Sequence, residues 1–109
     1  MEIESTQMPA LQIKFFIQEG GGEIARAYLL IGHNGLHAKP FALLEDVFVA
    51  EEARGKGIGT VLVQRVIQEA KLHGCYKCIA TSRFSRNTVH EWYTRIGFQQ
   101  HGTEFRMDF

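Results

Sequence analysis

The tightest constraint on this chain is a junction. An apolar run, Phe41 to Ala50 (FALLEDVFVA), passes directly into EEARGKGIGT, residues 51 to 60, which holds three glycines and two cations. Beyond it, Ile58, Val61, Leu62, Arg65, Val66 and Ala70 recur with the period of a helix. That spacing predicts an amphipathic helix from Gly57 to about His73, with Gly74 as a left-handed cap. The next β-rich segment is CYKCIAT, residues 75 to 81. A strand, a helix and a second strand in that order predict a right-handed crossover between parallel neighbours.

The remaining segments fit around this unit. LQIKFFIQ (11 to 18) reads as a strand ending at Gly20, Gly21 and Gly22, and EIARAYLLIG (23 to 32) resumes as its hairpin partner. HNGLHAKP (33 to 40) reads as a loop, with Asn34-Gly35 as turn residues. The third strand, 41 to 50, is apolar nearly throughout, which places it centrally. NTVHEWYTRIG (87 to 97) spaces Val89, Trp92, Tyr93 and Ile96 as a second helix stopped by Gly97, and FQQHGTEFRMDF (98 to 109) reads as two short strands about Gly102. The fold class expected is α/β (α+β), with a mixed, mostly antiparallel sheet and two main helices in one domain, 1 to 109.

Composition narrows the partners. Twelve Lys and Arg balance twelve Asp and Glu, so no overall charge recommends nucleic acid or an anionic membrane. The acidic start, MEIESTQMPA, lacks a signal-peptide pattern, no apolar run approaches a membrane span, and two cysteines are too few for a disulfide framework. A reduced, cytoplasmic protein is the expectation.

ARGKGIGT must be weighed as a phosphate loop. A Walker A template fails, because Lys56 is followed by Gly57 and position 51 is Glu. A Rossmann fingerprint fails too: Gly55 and Gly57 begin it, but position 60 is Thr and Gly59 falls one residue early. What remains is a helix N-terminus with unpaired N–H groups, partial positive charge, glycines that admit a close ligand, and Arg54 and Lys56 at the same end. By itself the pattern also suits a bare turn from strand to helix.

Arg54-x-x-Gly57-x-Gly59, directly after the VFV strand, resembles the acyl-CoA loop of the GNAT superfamily of N-acetyltransferases. Asn87, Trp92-Tyr93 and Gly97-Phe98 resemble that superfamily's second signature, with Trp where Phe is commoner. The resemblance covers roughly residues 11 to 109. EDVFVAEEARGKGIG and GCYK are most similar to glucosamine-phosphate N-acetyltransferases. One departure stands out: fuller GNAT domains place two helices between the first strand and the hairpin, and this chain has no room for them. The acceptor side is then either open or completed by another subunit.

The resemblance implies acetyl-CoA as cosubstrate and no metal. It implies that the pyrophosphate sits on backbone N–H groups of Arg54, Gly55, Lys56, Gly57, Ile58, Gly59 and Thr60. The pantetheine arm would run along Val47, Phe48 and Val49, and Asn87 would bond the same arm. It implies transfer of acetyl to a primary amine, of a small molecule or a protein, with Tyr93 protonating the departing thiolate. Glu45 or Asp46 would serve as base, directly or through water. Strand alternation predicts that only one of them sees the cleft. A competing class is a non-catalytic acyl-CoA-binding or protein-interaction module.

Other residues draw attention without carrying chemistry. Cys75 and Cys78 form C-x-x-C, but they open an apolar strand, so structural thiols are expected. His33 and His37 flank Asn34-Gly35 and read as exposed loop histidines; Arg83 and Arg86 flank the second signature, as CoA-phosphate contacts or as solvated charges. Sheet edges at both ends make a homodimer advantageous.

Overall fold

The computed structural model describes residues 1 to 109. The chain divides into two compact units, Met1–Ile79 and Ala80–Phe109. In order, its elements are β1 (Ala10–Glu19), β2 (Gly22–Gly32), β3 (Phe41–Val49), a short 3-10 turn (Glu51–Ala53), α1 (Ile58–Leu72), β4 (Cys78–Ala80) and α2 (Asn87–Ile96). The four strands form one sheet in the order β1-β2-β3-β4. The expected mixed sheet with two helices is observed, and β3 lies inside it as its apolar run predicted.

β1 and β2 pair antiparallel from Ala10↔Gly32 to Glu19↔Gly22. The two residues between them, Gly20 (φ 59°) and Gly21 (φ 79°), both have left-handed backbone. This is the two-residue turn whose twist matches a hairpin, and its positive φ angles favour glycine. β2 and β3 are also antiparallel. β3 and β4 ascend together: Tyr76 N–H donates to Pro40 O (3.0 Å) and Ala42 N–H to Lys77 O (3.0 Å).

The core lies on one face of the sheet, under α1. Register sets Leu29 beside Leu44 and Ile31 beside Ala42. These residues, with Ala25 and Ala27, bury against Leu62, Val63, Val66 and Ala70. The last four fall on one helical stripe, and small alanines on the sheet let the helix lie close. Leu29, Val63 and Val66 are the largest fully buried side chains, each stabilising the fold by roughly 1.5–3 kcal/mol.

α1 ends as its sequence predicts. Gly74 (φ 76°) carries the left-handed residue, its N–H donates to Lys71 O, and Cys75 N–H donates to Ala70 O, a Schellman cap. That cap shortens the following strand. The segment expected as a strand over 75 to 81 is a strand only at Cys78–Ala80, because Cys75 N–H serves the cap and Tyr76 turns onto the preceding loop, its ring stacked on His37 at 3.8 Å. Cys75 is therefore not a strand residue. The two strands expected about Gly102 are not formed: residues 97 to 109 contain no helix or strand. Phe105, Met107 and Phe109 alternate as strand residues would, but all three are exposed and no ladder pairs them. A short isolated ribbon does not hold itself together without a sheet to pack on.

Candidate functional site

The junction of β3, the glycine loop and α1 lies wholly within the first unit. β3 is not regular to its end. Its register against β2 shifts between Arg26↔Phe48 and Tyr28↔Glu45, so three steps on β3 oppose two on β2. The extra residue makes a bulge at Asp46-Val47 opposite Ala27. Asp46 is the one non-glycine residue with positive φ (51°), a conformation that Asp tolerates better than most. A bulge re-aims side chains, and here it undoes simple alternation. Glu45 and Asp46 are both exposed, whereas alternation had separated them by face.

Their environments differ. Asp46 Oδ2 accepts a hydrogen bond from Arg26 Nε at 3.3 Å, and the Arg26 guanidinium also lies 4.6 Å from the Phe48 ring centroid. The Asp46 carboxylate, then Glu23, pushes the Arg26 pKa further above its already high range. Glu45, level with Tyr28, makes no ion pair. Sequence reasoning missed both Arg26 and the bulge. The available signal was two adjacent carboxylates interrupting an apolar strand, the second of a type that accepts left-handed backbone.

Past the bulge, β3 outruns its other neighbour. The Ala42–Lys77 bond sets the register, and β4 stops three residues later at Ala80. The Val47, Phe48 and Val49 stretch thus continues beyond β4 towards the glycine loop. Arg54 ties the two together, its Nε donating to Val49 O at 2.9 Å. Arg54 N–H is also engaged, with Glu51 O at 3.2 Å. Arg54 therefore shapes the loop as well as charging it, while the Lys56 side chain is exposed.

Gly55 (φ 80°) and Gly57 (φ 77°) both adopt left-handed backbone, and Gly57 is the N-cap of α1. The helix begins one residue later than its sequence period suggested. Its first internal bond is Val61 N–H to Gly57 O at 3.1 Å. The N–H groups of Gly57, Ile58 and Gly59 precede that ladder, and no acidic residue stands in the first turn. The donors, the helix dipole and Lys56 together suit an anion such as a pyrophosphate. Gly59 and Thr60 have helical backbone, so Gly59, unlike Gly55 and Gly57, is not required by its conformation.

The second unit holds the other signature. Asn87 is the first residue of α2 and exposed; Tyr93 lies six residues on and is half-buried. Gly97 and Phe98 N–H groups both donate to Tyr93 O (3.1 and 3.0 Å), wrapping the chain back over the helix end. The Phe98 ring meets the Tyr93 ring edge-on at 5.3 Å, and Trp92 lies beside it at 5.0 Å. The Gly-Phe pair thus fixes the tyrosine ring. An open concavity along the same helix is lined by Asn87, His90, Glu91, Thr94 and Arg95. Within this unit His90 Nε2 pairs with Arg83 O at 2.8 Å.

His33 and His37 lie exposed in the loop as expected, and each serves it: His33 Nε2 pairs with Ala38 O, and His37 Nδ1 accepts Lys39 N–H. Both cysteines are free thiols. Burial raises both pKa values, that of Cys78 to about 11. No helix is long and apolar enough to cross a membrane.

A mixed sheet with a bulged strand running into a glycine-capped helix defines an α/β protein whose helix N-terminus has the donors to suit an anion. The family model for the acetyltransferase (GNAT) family matches residues 3–98. The chain belongs to that family. Curated relatives include an aminoglycoside N(6')-acetyltransferase type 1 of Acinetobacter baumannii, 37% identical over 67 residues covering 62% of this chain and 46% of the relative. A glucosamine 6-phosphate N-acetyltransferase of Trypanosoma brucei brucei is 34% identical over 65 residues, covering 60% and 42%. The chain thus spans less than half the length of these curated relatives. Among solved structures, one from Agrobacterium tumefaciens str. C58 superposes with a TM-score of 0.83 at 33% identity, over 90% of this chain and 69% of that one. A Trypanosoma brucei acetyltransferase superposes with a TM-score of 0.79 at 27% identity, over 92% and 69%.

Proposed function

We propose that this chain is a cytoplasmic N-acetyltransferase domain that moves the acetyl group of acetyl-CoA to a primary amine by direct attack. The observation that supports this most is the continuity of the junction: a bulged strand, free of β4 along Val47 to Val49, leads into a loop whose first helical turn presents donors to an anion. The residues fit the cosubstrate. Gly55, Lys56, Gly57, Ile58, Gly59 and Thr60 would hold the pyrophosphate, with Arg54 shaping the loop. Val47, Phe48 and Val49 would take the pantetheine arm as an added strand edge, and the family resemblance assigns Asn87 to the same arm.

Acetyl-CoA supplies an acetyl group activated as a thioester. In this scheme Glu45 removes the proton that an amine must lose before it attacks, since Asp46 is committed to Arg26. A backbone N–H of β3 steadies the negative charge that develops on the carbonyl oxygen. The Tyr93 hydroxyl gives its proton to the sulfur as the carbon–sulfur bond breaks, and regains one from solvent. The relatives' names favour a small amine on a sugar, so glucosamine 6-phosphate and an aminoglycoside head the panel of acceptors.

The test is free-thiol release from acetyl-CoA with a panel of sugar amines, polyamines and peptide amines. Turnover with at least one amine is expected. Tight CoA binding with no turnover on any amine would instead make the chain an acyl-CoA-binding module. Stabilisation by ATP but not by CoA would overturn both readings.

A further inference from the structure

Tyr28 stands in the middle of a row that crosses the sheet. Register sets Lys14 of β1 level with it on one side and Glu45 of β3 on the other. The next pair along, Leu29 and Leu44, is buried on the side that carries α1. By alternation Tyr28 and Glu45 therefore share the opposite face. Arg26, between the buried Ala25 and Ala27, lies on that face too. Tyr28 is half-buried and Glu45 is exposed.

Charge around this row is uneven. Both neighbouring cations are already paired: Lys14 Nζ lies 2.6 Å from Glu23, and Arg26 reaches Asp46 at 3.3 Å and Glu23 at 3.4 Å. Two cations against three carboxylates leave one negative charge, and the carboxylate outside these pairs is Glu45. A tyrosine ring attracts a cation through its face. From the β1 side Lys14 Nζ lies 6.0 Å from the Tyr28 ring centroid, its charge offset by Glu23. On the β3 side the ring adjoins the unpaired Glu45. An ammonium placed there is attracted by both groups, whereas a phosphate is repelled by the carboxylate and must compete with Glu23 and Asp46 for each cation.

We infer that Tyr28 and Glu45 form an ammonium-binding subsite that selects an acceptor whose charge is wholly cationic, a polyamino sugar rather than a sugar phosphate. The inference rests on the acetyl-transfer reading and deepens it. Tyr28 holds the acceptor as its ammonium beside the carboxylate; one proton then passes from nitrogen to Glu45, and the freed lone pair attacks the thioester carbon. Tyr28 is a binding residue in this scheme and takes no proton.

Thiol release from acetyl-CoA with kanamycin and with glucosamine 6-phosphate compares the two acceptor classes. The kcat/KM for kanamycin is expected to be higher by about tenfold or more. Tyr28→Leu removes the ring and is expected to raise the kanamycin KM about fivefold or more, with circular dichroism, kcat and the acetyl-CoA KM nearly unchanged. Tyr28→Phe keeps the ring and should keep the native KM. A preference for glucosamine 6-phosphate overturns the inference, as does a native kanamycin KM in Tyr28→Leu or equal impairment in Tyr28→Phe. Calorimetry with kanamycin separates the subsite from the reaction. Kanamycin binding that Tyr28→Leu weakens, with no turnover on any amine, upholds the subsite and overturns acetyl transfer. Turnover on other amines, with kanamycin bound no better than glucosamine 6-phosphate, does the reverse.

Discussion

Arg26 on β2 donates from Nε to Asp46 Oδ2 at 3.3 Å, joining the neighbouring strand to the one non-glycine residue with left-handed backbone. The pair divides the two adjacent carboxylates into different tasks: Asp46 braces the bulge, and Glu45 is left without an ionic partner. Asp46→Asn keeps a side chain that tolerates positive φ and loses only a part-exposed ion pair, so it is expected to cost under about 1 kcal/mol. Asp46→Val should cost roughly 1–2 kcal/mol more, from left-handed strain. Urea unfolding measures both.

The same division predicts turnover. Glu45→Gln is expected to lower kcat by about 10²- to 10⁴-fold. Asp46→Asn should leave kcat within a few-fold. The reverse order of effects would assign the base to Asp46.

Tyr93 is held by Phe98 through a ring contact at 5.3 Å and a backbone bond at 3.0 Å. Tyr93→Phe preserves the ring and removes only the hydroxyl. It is expected to lower kcat by about 100-fold or more while CoA affinity changes less than threefold, read by thiol release and calorimetry. Undiminished kcat would remove Tyr93 from the proton path.

The three loop glycines separate by backbone. Gly57→Ala forces a Cβ into left-handed conformation and should destabilise the fold by roughly 1–2 kcal/mol. Gly59→Ala falls on helical backbone, where alanine is favoured by about 0.5–1 kcal/mol. Its thermal midpoint should hold or rise while CoA affinity drops at least tenfold, since the added methyl meets the ligand. Undiminished CoA affinity would show that no ligand approaches Gly59.

Burial holds the Cys78 thiol neutral, with its pKa raised from 9.0 to about 11. At pH 8 its thiolate fraction is then about 100-fold below that of an unburied cysteine, so alkylation should be slow by about that factor. The linked stability has a definite sign. The folded state keeps a proton that the unfolded state loses, so this contribution is intact below pH 9 and declines as pH rises towards 11. Mass-resolved alkylation across that range measures the first, and unfolding titrations the second.

Most of the architecture was legible because it rests on local chemistry. The paired glycines after Glu19, the helical period from Ile58, and Gly74 and Gly97 as stops are each written within a few residues. The misjudged segments depend on distant partners. CYKCIAT has strand composition throughout, but Cys75 N–H is claimed by Ala70 O and Tyr76 by the loop before β3. The alternation of Phe105, Met107 and Phe109 is real, yet alternation makes a strand only where a ladder receives it.

What the sequence determined by itself was the order of elements, the glycine-capped helix start and the two signatures that mark the family, because turns, caps and periodicity are short-range physics. What the tertiary structure alone decided was how Glu45 and Asp46 are deployed. Alternation along β3 gives each residue a face only while its pairing stays regular. The bulge opposite Ala27 and the reach of Arg26 from the next strand broke that rule, and both arise from register between strands that no local pattern encodes.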